Sequence, residues 1–121
     1  MPTKKKILLV DDEPGILKVL SIKLRVSGYD VVTTAGGQEA LDLIDSASPD
    51  IVLLDVIMPG VDGLEVLRKL RVNSRLPVFV FSASSENAQK AMSLGADGFL
   101  AKPFDVDDLV KRIVMVLDHK G

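Results

Sequence analysis

The sequence predicts an α/β fold: a flavodoxin-like (βα)5 doubly wound parallel sheet of five strands in the order 2-1-3-4-5, with helices on both faces. Three observations predict it. Short apolar, β-branched runs alternate with helical patterns along the chain. Several of these runs have no polar side, as expected of strands covered by helices on both faces. Right-handed crossovers then leave few topologies for five such units, and 2-1-3-4-5 is a common doubly wound order.

Ile7-Leu8-Leu9-Val10 is the first strand. Pro14 suits a first helical turn. Ile16, Leu17, Leu20 and Leu24 follow at helical spacing, and Gly28 stands where that helix stops. Tyr29 to Thr33 reads as the second strand. Ala40, Leu41, Ile44 and Ala47 form the face of the second helix, with Gly36-Gly37 before it. That glycine pair reads as a helix start and not a phosphate loop, because it follows the wrong strand. Ile51-Val52-Leu53-Leu54 is the third strand, apolar throughout. After the loop Met58-Pro59-Gly60-Val61, Asp62 and Glu65 have capping-box spacing and open a third helix through Leu67 and Leu70. Val78-Phe79-Val80-Phe81 is the fourth strand. Ser84 or Ser85 caps a fourth helix containing Ala88, Ala91 and Met92, which stops at Gly95. Gly98-Phe99-Leu100-Ala101 is a weaker fifth strand. Asp105 caps a last helix that turns Val106, Leu109, Ile113 and Val116 or Leu117 inward, and Asp105, Asp107 and Asp108 suit its N-terminus.

The 121 residues are read as one domain, 1–121. A mass of 13.0 kDa allows about two thirds of the chain surface to be buried, enough for one core. Net charge is −2, which offers no general attraction to nucleic acid or anionic membrane. Cysteine is absent and the one histidine is His119. Thiolate sites, histidine-rich metal sites and a Ser-His-Asp triad are therefore excluded from the body of the domain. No apolar run approaches a membrane span, and Lys4-Lys5-Lys6 precedes too short an apolar stretch for a signal peptide. The expected location is cytoplasmic.

Ligands of such sheets bind beyond the carboxyl ends of the strands. Asp11, Asp12 and Glu13 follow the first strand, Asp55 the third, Ser82 the fourth and Lys102 the fifth. Each has an ordinary explanation alone: a helix cap, a loop aspartate, a turn serine, a solvated lysine. Their joint placement at matching strand ends does not. Three clustered carboxylates repel, so one must take a proton or recruit a cation. An oxygen-only set suits Mg2+ (or Mn2+). A hydroxyl and a lysine beside it are groups that clamp a phosphoryl group. With no cysteine and a misplaced histidine, a carboxylate is the expected phosphoryl acceptor.

Val10-Asp11-Asp12-Glu13-Pro14, the segment from Asp55 through Met58-Pro59-Gly60 to Gly63, Phe81-Ser82-Ala83 and Lys102-Pro103-Phe104 together resemble the receiver domain of bacterial two-component response regulators. The resemblance runs from Lys6 to about Leu117. It implies that Asp55 accepts a phosphoryl group from the histidine of a sensor kinase or phosphotransfer protein. It implies Asp12, Asp55 and the Ile57 backbone carbonyl as direct Mg2+ ligands, with Asp11 acting through water. Ser82 matches the switch hydroxyl, Ala83 offers a backbone N–H to the phosphoryl group, and Lys102 pairs with it. The Lys102-Pro103 bond is typically cis in the family. Phe99 matches the switch aromatic, where tyrosine is common. Phosphorylation is then a population shift in which Ser82 and Phe99 reshape the face made by helix 4, strand 5 and helix 5. The domain is not an enzyme toward other substrates; it promotes its own phosphorylation and dephosphorylation. Ile57, two residues after Asp55, positions no water, so self-dephosphorylation is expected to be slow.

A haloacid-dehalogenase-type phosphatase needs an acid where Ile57 stands. A flavodoxin needs a glycine- and hydroxyl-rich loop where Asp11-Asp12-Glu13 stands, and no dinucleotide motif is present. The runner-up is a pseudo-receiver that binds partners without phosphorylation; the intact Asp11, Asp12, Asp55, Ser82 and Lys102 argue against it. No output domain is read in residues 1–121. The Met1 start suits an N-terminal receiver, stand-alone or part of a larger regulator. An output domain or downstream protein is expected on the helix 4, strand 5, helix 5 face. Lys90, Asp97, Asp108, Lys111 and Arg112 would decorate that face, where a homodimer is a further expectation. No direct nucleic-acid or membrane contact is expected.

Overall fold

The computed structural model describes residues 4–58, 60 and 62–118. Pro59 and Val61 of the loop motif, and His119, lie outside them. Among the described residues, five strands form one parallel sheet: β1 (Lys6–Val10), β2 (Asp30–Thr34), β3 (Ile51–Asp55), β4 (Val78–Ser82) and β5 (Gly98–Ala101). Their order is β2-β1-β3-β4-β5. The helices are α1 (Pro14–Val26), α2 (Gly37–Ala47), α3 (Gly63–Arg71), α4 (Ser85–Ser93) and α5 (Val106–Asp118). The order and class match the sequence reading.

The apolar runs explain the layering. Side chains alternate across a strand, so β1, β3 and β4 each supply both cores. Leu8, Val10, Val52, Leu54, Val78 and Val80 pack with Val66, Leu67 and Leu70 of α3 and with Ala40 and Ala91. Ile7, Leu9, Ile51, Leu53, Phe79 and Phe81 pack on the other face with Leu20 and Leu24 of α1 and Leu109, Ile113 and Leu117 of α5. Full burial of one such side chain contributes ~1.5–3 kcal/mol. The register sets Leu8 beside Val32 and Val52, and Leu53 beside Phe79, so apolar rows cross the sheet at one level.

The helix ends follow local chemistry. Asp62 and Ser84 accept the backbone N–H groups of Glu65 and Asn87, capping α3 and α4. Asp105 accepts from the Asp107 N–H at 2.8 Å. α1 has Pro14 in its first turn and Glu13 at its N-cap, with no side-chain cap. Gly28 takes φ +102° after that helix, a conformation that favours glycine. Strand bounds differ slightly from expectation. Tyr29 precedes β2, because its N–H closes the end of α1 on the Leu24 carbonyl at 3.1 Å. β3 and β4 run one residue further, so Asp55 and Ser82 are themselves the last strand residues.

Gly63 positions the site directly. Its N–H donates to the Val56 carbonyl at 2.8 Å. A Cβ there would fall 2.2 Å from the Asp55 carbonyl oxygen and 2.8 Å from the Val56 Cα. Only a residue without a side chain lets α3 start against the end of β3. Gly63→Ala is expected to lower the unfolding free energy by about 1–3 kcal/mol, measured by urea denaturation; an unchanged midpoint would show that the backbone there yields freely.

Candidate functional site

Because all five strands run the same way, their carboxyl ends share one edge. Asp11 follows β1 and is fully buried, and Asp55 ends β3 with 5% exposure. Asp12 is exposed. One carboxylate oxygen from each of the three lies within 4.8 Å of the others. Lys102, after β5, brings its Nζ to 3.1 Å from Asp11 Oδ2, 3.3 Å from Asp55 Oδ1 and 3.4 Å from Glu13 Oε1.

The backbone around these groups is tightly held. Asp11 N–H donates to the Thr34 carbonyl at 3.2 Å, and Asp11 Oδ1 accepts the Glu13 N–H at 2.9 Å. Val56, next to Asp55, donates to Phe81 and accepts from Gly63. Lys102 N–H donates to the Ser82 carbonyl at 2.9 Å, tying the exits of β5 and β4 together. The Lys102-Pro103 bond is cis, as the resemblance implies. Phe104, two residues beyond Lys102, stacks on Phe81 with ring centroids 4.7 Å apart. The sequence reading gave Phe104 no role. Its signal was an aromatic close behind a strand-end lysine, with another just before Ser82.

Ser82 lies at the same edge, but its hydroxyl is turned into the β4–α4 connection. It donates to the Ser84 carbonyl and accepts the Ser84 N–H, both at 3.0 Å. The Ser84 hydroxyl in turn caps α4 through the Asn87 N–H at 3.2 Å. Ala83 is exposed beside it. Ile57 is 63% exposed and Phe99, on β5, 39% exposed. The charges assigned to the α4, β5 and α5 face are largely paired within the chain. Lys90 meets Glu86 at 3.7 Å, Asp97 meets Arg71 at 3.1 Å and Asp108 meets Arg112 at 3.3 Å. Arg112 also donates to the Phe99 carbonyl.

Charge at the site is unbalanced. Burial, then the Asp11 charge, lift the Asp55 carboxyl from its ordinary 3.8 to about 6; Lys102 opposes this and Asp12 adds to it. Burial works against the Lys102 ammonium. Its hydrogen bond to Asp11 and the charges of Asp55 and Asp11 outweigh that and raise its pKa. One ammonium therefore faces more negative charge than it neutralises. An all-oxygen donor set, two carboxylates buried and one facing solvent, fits a hard divalent cation that keeps some of its water. Asp11, Asp12 and Asp55 could hold Mg2+ (or Mn2+).

A carboxyl whose pKa is higher folded than unfolded costs stability above that folded value and nothing below the unfolded one. In chelator, Asp55→Asn is therefore expected to stabilise the protein at pH 7, by on the order of 2 kcal/mol. That advantage should shrink as pH falls through about 6 and vanish below about 4. Urea denaturation of both proteins across pH checks it. A pH-independent difference would contradict the charge imbalance.

The comparisons agree with this geometry. The chain matches the sequence model of the response regulator receiver domain over residues 7–114. It is 41% identical over 119 residues to ycf27 of Guillardia theta, a probable transcriptional regulator; the match covers 97% of this chain and 47% of that relative. The chain thus spans about half the length of that relative. The Francisella response regulator 1452 receiver domain superposes with a TM-score of 0.91 at 33% identity, over 98% of this chain and all of the other. The chemotaxis response regulator CheY4 of Vibrio cholerae gives 0.86 at 34% identity, over 94% of this chain and 99% of the other. Among the described residues, no helix is long and apolar enough to cross a membrane. Fold, strand-end residues and relatives lead to one conclusion: the chain belongs to the response regulator receiver domain family of two-component signalling.

Proposed function

We propose that this domain accepts a phosphoryl group on Asp55 from a phosphohistidine of a sensor histidine kinase or phosphotransfer protein, and that the acyl phosphate switches the face formed by α4, β5 and α5. The carrying observation is the buried Asp55 carboxylate, 3.3 Å from the Lys102 ammonium and inside a set of three carboxylates. An Asp55 oxygen attacks phosphorus, the P–N bond breaks, and the freed imidazole takes its electron pair and picks up a proton from water. Even in the absence of a cation, a carboxyl lifted to about 6 is ionised at neutral pH, the form that can act as a nucleophile. Mg2+ (or Mn2+), held by Asp12, Asp55 and the Ile57 carbonyl, with Asp11 acting through water, would supply positive charge for the phosphoryl oxygens.

Lys102 then pairs with one phosphoryl oxygen and the Ala83 N–H donates to another. Ser82 changes partners. A hydrogen bond to a charged oxygen is worth ~1.5–3 kcal/mol, against ~0.5–1.5 kcal/mol for a neutral one. The Ser82 hydroxyl therefore favours the phosphoryl group over Ser84. Redirecting its proton breaks the bond it donates to the Ser84 carbonyl, loosening the turn that caps α4, and the exposed Phe99 ring moves inward. Receiver and switch are one device, and the domain is not an enzyme toward other substrates. An output domain, a downstream protein or a second copy would read the changed face.

Intact-protein mass after incubation with phosphoramidate and Mg2+ is expected to rise by one phosphoryl group. Chelator or Asp55→Asn should abolish the gain. Labelling of Asp55→Asn, or metal-independent labelling of the parent, would refute the assignment. The exposed Ile57 offers no polar group to hold attacking water, so the phosphoryl group should persist well beyond seconds without a phosphatase. Ile57→Asn is expected to shorten that lifetime several-fold, followed by mass after donor removal.

A further inference from the structure

We infer that Glu13 sets which phosphodonors the site admits, disfavouring those with two negative charges; the inference rests on the phosphoacceptor reading above. Glu13 is fixed at the mouth by its own backbone, whose N–H is held by Asp11 Oδ1 at 2.9 Å. Its carboxylate reaches the Lys102 ammonium at 3.4 Å while remaining 60% exposed. Lys102 does not need this partner for neutralisation, since Asp11 and Asp55 lie at 3.1 and 3.3 Å. Nor does Glu13 belong to the three-carboxylate set that a cation would compensate. Lys102 is the cation that offsets its charge.

Glu13 borders the site on the side of Lys102. A cleft beside Asp55's partner Lys102 is walled by Ile16, Val19, Pro103 and Phe104, and the charged side chains lining it are Glu13 and Lys102. When Lys102 turns to an incoming phosphoryl oxygen, Glu13 is left uncompensated next to a gathering negative charge. The resulting repulsion grows with the donor's charge. It is larger for dianionic acetyl phosphate than for phosphoramidate, a monoanion whose leaving nitrogen is protonated. In both reactions an Asp55 oxygen forms the new O–P bond. Acetate leaves with the P–O pair in one, and ammonia leaves with the P–N pair in the other. Glu13 is a positioning and specificity residue, acting through Lys102 and through its own field.

Initial labelling rates with each donor in Mg2+, at low and high salt, test this in the parent, Glu13→Gln and Glu13→Asp. Glu13→Gln is expected to raise the acetyl phosphate rate about two- to fivefold and the phosphoramidate rate by less. Glu13→Asp should keep the parental ratio of the two rates. Added salt should narrow that ratio in the parent more than in Glu13→Gln, because an exposed charge is screened. A role confined to structure would change both rates alike and without regard to salt, and that result overturns the inference while leaving the acceptor assignment standing. If neither donor labels the parent, the acceptor reading fails and this inference falls with it.

Discussion

The Lys102 ammonium is shared by carboxylates that would otherwise repel one another, and the character of the site depends on that shared contact. Two unit charges 4 Å apart interact by about 4 kcal/mol at the effective dielectric of a protein surface. Asp11, Glu13 and Asp55 all fall inside that range of one nitrogen. None of them is near Lys102 in sequence. They meet because β1, β3 and β5 are parallel and end on the same edge. The two apolar layers hold those strands, and so hold the charges at a spacing the charges alone would not choose.

This tension gives the site its chemistry. A buried aspartate with too little positive charge around it is a good place for a cation and a poor place for a second anion. Only the two together balance. The sheet and its central strands resist rearrangement, being buried along their lengths. α4 does not resist equally: it buries Ala88 and Ala91, where α3 buries Val66, Leu67 and Leu70. Its first turn is tied to the site through Ser84, which also holds the Ser82 hydroxyl. On the proposed reading, a change in the partner of that hydroxyl would reach a helix that packing fixes less firmly than α3.

Much of this was legible in the sequence, for physical reasons. Continuous apolar runs of strand length between helical patterns give both layers and topology, and Asp55, Ser82 and Lys102 then fall at strand ends without further information. Asp62 and Asp105 were readable as caps, and Ser84 was one of two candidates with Ser85 until the structure chose it. What could not be read depends on contacts between distant residues. Glu13 and Lys102 are 89 positions apart, and nothing local marks them as partners. The Phe81–Phe104 stack and the Arg71–Asp97 pair are of the same kind. Tyr29 has the β-propensity of a strand residue, but a helix-closing hydrogen bond claims its backbone. The partner of the Ser82 hydroxyl was also beyond reach, since a serine at a strand end suits a turn and a phosphoryl group equally well.

The most direct measurement is a carbon-detected NMR titration of the Asp55 side-chain carboxyl, with and without Mg2+. The account predicts a midpoint near 6 in chelator, moving well down when Mg2+ is added. A midpoint at the ordinary carboxylate value, unmoved by Mg2+, would mean that the charges at this edge are already balanced, and the central claim would be wrong.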